Sequence, residues 1–191
     1  MRQATLFRIM IKNILYITLI LITCLSACKK KQGDVVASAL KISEEINKKL
    51  KDYTQKHVDD ITSRASGTIT GYYRDDEVKK IYAEHFTDTC RTFTEYYFDE
   101  GYLIYILRQD FKYNRPARYT EEKAKANGDS VWYDYKKTRL EISKFYFGDN
   151  KLVKWISPDS KEVDSKSIQF INKESGLWAE TIVLMKELKE Q

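Results

Sequence analysis

The chain is poor in the residue types that carry most enzyme chemistry. Its 191 residues include three cysteines, two histidines, two prolines and seven glycines. Three cysteines are too few for a stapled disulfide framework. No Gly-rich phosphate loop, G-x-S-x-G elbow or H-E-x-x-H pair is present. The scarcity of proline and glycine excludes a collagenous or low-complexity chain. No sign of charge dominates either, with 33 Lys and Arg against 28 Asp and Glu. What remains is 42% hydrophobic and 32% charged, with 14 Tyr, 8 Phe and 3 Trp. That composition belongs to one folded domain, and the length is short for two.

Long apolar runs are also scarce, and the one that occurs lies at the start. Ile14 to Leu25 follows a basic stretch with Arg2, Arg8 and Lys12 and no acid. As a helix this run would reach ~18 Å, against ~30 Å of bilayer hydrocarbon. Its geometry is that of a signal peptide rather than a span. Met10 opens an equally complete segment, so either Met1 or Met10 can be the start.

The segment closes on Leu25-Ser26-Ala27-Cys28, which resembles the bacterial lipobox. That resemblance implies cleavage before Cys28 and diacylglycerol and palmitate on its thiol. Each buried methylene adds ~0.8 kcal/mol, so several long chains hold a protein far more firmly than one. Cys24 leaves with the signal, and Cys90 is then the single free thiol. With Arg2, Arg8 and Lys12 removed, 30 basic residues face 28 acidic ones. No basic stripe interleaved with base-stacking aromatics survives to argue for nucleic acid. Lys29 follows the cysteine, and by resemblance to Gram-negative sorting rules this implies the outer membrane.

The chain therefore divides into a signal peptide (1–27), a lipidated cysteine with a polar tether (28–33), and a single α+β domain (34–191). Within the domain, apolar residues Val35, Ala39, Ile42, Ile46, Leu50, Tyr53, His57 and Ile61 recur at spacings of three and four. They predict one long amphipathic helix over 34–64, capped by Asp34. A related motif then appears three times over 66–160: Tyr72-Tyr73-Arg74-Asp75-Asp76-Glu77-Val78, Tyr97-Phe98-Asp99-Glu100-Gly101-Tyr102-Leu103 and Tyr146-Phe147-Gly148-Asp149-Asn150-Lys151-Leu152. An aromatic pair, a short acidic or Gly/Asn turn and an apolar alternation predict a β-hairpin with a three-residue loop. Its last loop position, Asp76, Gly101 or Asn150, needs positive φ.

Three hairpins in series predict an antiparallel meander of about six strands, near 67–74, 77–86, 90–98, 102–113, 139–147 and 151–157. Side-chain alternation puts Tyr96, Phe98, Ile104, Ile106, Phe145, Phe147, Val153 and Trp155 in the core. The other face carries Tyr97, Leu103, Tyr105, Lys144, Tyr146, Leu152 and Lys154, and is either partly wet or covered by a helix. Glu121–Ala126 is locally helical, Asn127-Gly128 is a turn, and Val131–Tyr135 can add a short strand. The segment 161–191 ends in a helix over about 175–189, with Ser175 as cap.

The Tyr-Phe-Gly-Asp-Asn-Lys-Leu run, together with the lipobox, resembles small lipoproteins of the Bacteroidota that carry Tyr-Phe-x-Asp/Asn-Gly-x-Leu hairpins. A weaker likeness is to MORN-type repeats. The motifs shared are turn and strand chemistry, and they bring no catalytic residue.

His85 and Cys90 can be written as a nucleophile pair, but they also read as a sheet residue and a small buried thiol. The acid pairs Asp75-Asp76, Asp99-Glu100 and Glu121-Glu122 fall on turns, where acids are the ordinary solvated choice. The residues singled out for binding are Tyr97, Tyr105, Tyr146, Lys144 and Lys154, because tyrosine offers a rigid body with a polar tip. No catalytic residue, metal ligand or cofactor is assigned. The expected function is a membrane-anchored envelope lipoprotein with a non-enzymatic binding or structural domain, partnered by an envelope protein or a glycan. The alternatives are a periplasmic hydrolase with a shallow site, using His85 or the acids, and an inhibitor-like module acting through the Asp99-Glu100-Gly101 tip.

Overall fold

Each repeated motif turns back through two residues with positive φ: Asp75 (51°) and Asp76 (63°), Glu100 (49°) and Gly101 (78°), Asp149 (51°) and Asn150 (60°). These are two-residue hairpin turns of the I′ kind, not the three-residue loops that the sequence predicts. The I′ turn matches the right-handed twist of the strands it joins. In the computed structural model, which describes residues 32–60 and 66–190, they connect β2 (Ser66–Arg74) to β3 (Glu77–Phe86), β4 (Cys90–Asp99) to β5 (Tyr102–Lys112), and β6 (Arg139–Gly148) to β7 (Lys151–Ile156). A further strand, β1 (Thr54–Asp60), pairs with β2. The sheet is a seven-stranded antiparallel meander in the order β1 to β7.

The α+β class and the meander agree with the sequence reading, but the first helix is shorter than predicted. Helix α1 covers Gln32–Lys48, with Asp34 in its first turn. A single 3-10 turn, Leu50–Asp52, follows, and Tyr53 is extended. The three-and-four spacing continued to Ile61 by coincidence. Residues 54–60 gain more by pairing with the open edge of β2, which buries Val58 opposite Ile69. His57 therefore lies on an exposed strand, 3.0 Å from Thr70 Oγ1, rather than on a helix.

The hairpins share a second device. A register shift follows every turn, at Tyr72/Tyr73, Tyr97/Phe98 and Tyr146/Phe147. Phe98 pairs with Leu103 but Tyr97 pairs with Tyr105, so Ile104 is the extra residue. A bulge of this kind inverts the side-chain parity of the strand beyond it. Leu103 and Leu152 consequently join Phe98 and Phe147 in one core, while Ile104 and Val153 turn to the other face. This corrects the predicted placement of those four residues.

Both faces of the sheet carry a helix. On one face α3 (Ile168–Lys189) buries Phe170, Leu177, Thr181, Leu184 and Leu188 against Ile69, Ile81, Tyr96, Ile106, Phe145 and Trp155. Each buried leucine contributes about 1.5–3 kcal/mol. The helix begins seven residues before the predicted start. Ser167 is its cap, accepting from Phe170 N at 3.2 Å, whereas Ser175 is internal and donates to Ile171 O. On the other face α1 packs Ala39 and Ile46 over Tyr53, Tyr97, Tyr105 and Tyr146.

The insertion between β5 and β6 holds the short helix α2 (Glu121–Ala126), capped by Thr120. Gly128 has a φ of 68°, as the Asn-Gly turn requires. Val131–Tyr135 forms no strand; a 3-10 turn follows at Tyr135–Lys137. The lipobox and Cys28 lie outside the described residues.

Candidate functional site

On the α3 face, rows of paired residues cross the strands and grow more polar with distance from the turns. The first row is Ile81, Tyr96, Ile106, Phe145 and Trp155. The second is Ala83, Thr94, Arg108 and Ser143, and the third is His85, Thr92, Asp110 and Glu141. Where the N-terminal half of α3 crosses these rows, a groove of ≈ 630 Å³ opens. Arg108, Asp110, Ser143 and Trp155 line its floor, and Asn172, Lys173 and Glu180 line its helix side.

Arg108 Nη2 donates to both oxygens of Glu180, at 2.6 and 2.5 Å, and its Nε reaches Thr94 Oγ1 at 3.4 Å. Burial opposes the charge on Arg108, but Glu180, Tyr96 and Asp110 together outweigh it and hold the guanidinium pKa above its usual value. The pair fixes a planar cation at the groove wall. Thr92 Oγ1 donates to Asp110 at 2.7 Å, which orients that carboxylate. Lys173 sits 5.5 Å above the Trp155 ring.

Two buried donors next to this cluster stand out. Trp155 Nε1 and Tyr96 Oη have no hydrogen-bond partner of good geometry among the described residues. Burial raises the Tyr96 pKa well above the usual phenol value, and the nearby Glu180 charge raises it further. Unpaired buried donors are costly and uncommon, and they concentrate where a structure has another use for them.

No family model, curated protein or solved structure matches the chain.

The residues proposed from sequence fall elsewhere. Tyr97, Tyr105 and Tyr146 are 2%, 5% and 4% exposed, stacked in a ladder beneath α1 with centroids 5.6 and 5.0 Å apart. They are a structural core, and their ring faces are not offered to a ligand. Of the two states the sequence allows for that face, α1 covers it over the ladder and leaves it wet at Lys144. Lys154 is held by Glu162 at 2.9 Å, and Lys144 is exposed on the same side of the sheet. Neither lies in the groove. His85 pairs in register with Thr92, and Cys90 Sγ lies 3.6 Å from Thr92 Oγ1. The Glu100-Gly101 tip is braced from the side, because Gly101 N donates to Glu77 at 2.9 Å. Among the described residues no group of three His, Cys, Asp or Glu is placed to hold a metal ion.

Sequence reasoning missed Arg108, Asp110, Ser143 and Glu180. A signal was available: Thr92, Thr94, Arg108, Asp110 and Ser143 continue the inward-facing positions of strands whose other inward residues are aromatic or aliphatic. Polar residues in an inward row mark either a network or a site.

Proposed function

We propose that the chain is an envelope lipoprotein anchored through acylated Cys28, and that its folded body is a non-enzymatic binding domain whose site is the α3 groove. The observation that carries the binding reading is the groove itself. It presents a pre-oriented cation, Arg108, beside a pre-oriented carboxylate, Asp110, and a hydroxyl, Ser143, at one opening. A few convergent polar groups on a rigid sheet suit recognition of a small polar ligand. Donors and acceptors of both kinds favour a hydroxyl-rich molecule such as a glycan fragment. Among the described residues no helix is long and apolar enough to cross a membrane, so the anchor reading rests on the Leu-Ser-Ala-Cys sequence.

Two measurements test the two halves. Radiolabelled palmitate should mark the native chain and not Cys28→Ser; an unlabelled native chain removes the anchor. Oligosaccharides released from the envelope, titrated against the body, should change the fluorescence of Trp155 at the groove floor. Asp110→Asn and Ser143→Ala should weaken that binding while leaving the urea midpoint near its original value. Equal binding by both variants would move the site out of the groove.

A further inference from the structure

Among the large apolar side chains exposed to solvent, Val131, Trp132, Tyr135 and Leu140 fall within ten consecutive residues, with Tyr135 at 69% and Trp132 at 36%. The same stretch carries Lys136, Lys137 and Arg139. It leaves the sheet at the end opposite the I′ turns, between β5 and β6.

The display is built rather than loose. Asn114 Nδ2 donates to Trp132 O at 2.9 Å, and its Oδ1 accepts from Asp134 N at 2.9 Å. Asp134 in turn caps the 3-10 turn Tyr135–Lys137, accepting from Lys136 N at 3.0 Å. Tyr133 packs edge-on against Tyr113, with centroids 5.2 Å apart. These inward contacts leave Trp132 and Tyr135 on the outside.

The net charge around them is positive. Residues 112–139 hold eight basic and four acidic side chains. Lys112 and Arg139 share one carboxylate, Glu141, and Lys136 and Lys137 make no ion pair among the described residues. Lys112, Lys137 and Arg139 surround a shallow recess of ≈ 330 Å³ with Tyr113 and Asn114.

Two single-character ligands fit this patch poorly. A free anion would satisfy the lysines and leave Trp132 and Tyr135 in water. An apolar protein groove would cover the aromatics and desolvate the cations. A bilayer surface satisfies both, because Trp and Tyr settle at headgroup level and Lys and Arg are drawn to anionic headgroups.

We propose that Val131–Leu140 is a membrane-docking loop that seats the body on an anionic phospholipid surface. The inference does not rest on acylation. If Cys28 is also acylated, the tether raises the local concentration of lipid and the loop sets the orientation.

The test uses the unacylated chain 32–191, which holds both hydrophobic cores in one unit. It is sedimented with vesicles of phosphatidylcholine alone, or of phosphatidylcholine with phosphatidylglycerol. Binding is expected with the anionic vesicles only and should fade at high salt. At about fivefold per lysine, Lys136→Ala with Lys137→Ala should bind about twenty-five-fold more weakly. Brominated lipid should quench part of the tryptophan emission of the wild type, and that part should vanish in Trp132→Phe. Wild-type protein that ignores anionic vesicles overturns the proposal, as does unquenched Trp132 on bound vesicles. Capture of inorganic phosphate without vesicle binding would show an anion pocket instead, and would overturn it too. Palmitate labelling of Cys28 is untouched by any of these outcomes.

Discussion

Lys80 of β3 donates to Asn47 of α1 across 2.8 Å, beneath the helix and almost out of water. The same ammonium lies 3.2 Å from Glu95 and 5.0 Å from the centre of the Tyr97 ring. Burial lowers its pKa, and the Glu95 charge acts against that. The bond to Asn47 ties α1 to the sheet, while the Lys80–Glu95 pair itself adds little stability. Lys80→Ala should cost about 2–3 kcal/mol in urea unfolding, less than a fully enclosed pair because Glu95 keeps some water. Lys80→Met with Glu95→Gln should recover most of the loss. A double variant no better than the single one would show that the pair is not the source.

Gly71 is buried where Leu188 of α3 packs on β2. A Cβ there would stand 2.7 Å from Tyr73 Cε2 and 3.0 Å from Leu188 Cδ1. Tyr73 can shift, but Leu188 is fully buried. Gly71→Ala should lower stability by about 1–3 kcal/mol through overpacking. Gly176, inside α3, has nothing within 4 Å of its virtual Cβ. Gly176→Ala should raise stability by up to about 1 kcal/mol through helix propensity. The two alanines thus have opposite signs, and chemical denaturation of both reads that directly.

The hairpins were legible because their determinants are local. Asp-Asp, Glu-Gly and Asp-Asn at the turns and the aromatic pair before each placed six strand boundaries to within about one residue of the structure. Two things were not local. The parity of Ile104 and Val153 depends on a bulge, and a bulge is decided by pairing across strands. Among the described side chains of the strand Thr54–Asp60 only Val58 is buried, so its own pattern could not compete with the helical spacing before it. The groove escaped for a related reason. Arg108 and Glu180 are 72 residues apart in sequence and meet only when α3 folds back across β5.

The first hairpin turn is the least well chosen of the three. Asp76 has a φ of 63°, where the second hairpin places Gly101 and the third Asn150. An aspartate tolerates that region at a cost that glycine avoids. Asp76→Gly should therefore stabilise the domain by about 0.5–1 kcal/mol, and Gly101→Ala should destabilise it by about 1–2 kcal/mol. Thermal melts of both variants provide the check; a loss in Asp76→Gly would mean that the aspartate contributes something beyond its backbone.

Alkaline pH tests the buried tyrosines together. Burial raises the pKa of Tyr96, Tyr97 and Tyr105 above the ordinary 10.0, assisted by Glu180 at Tyr96, by Glu95 at Tyr97 and by Tyr146 at Tyr105. In the unfolded chain these phenols lose their protons near pH 10, while in the folded chain they keep them. Above about pH 10 the folded state then holds more protons than the unfolded state, so stability falls as pH rises. Each such tyrosine steepens the fall by about 1.4 kcal/mol per pH unit. Lys80 acts the other way, since its lowered pKa makes stability rise with pH in the window below the ordinary 10.5. The lysine's rise is complete by about pH 10.5, and above that only the tyrosines' fall remains. Phenolate absorbance from the buried set should appear only together with loss of the fold, and Tyr97→Phe should flatten the decline. Tyr97 and Tyr105 titrating near pH 10 in a folded chain would mean that the ladder under α1 is open to water.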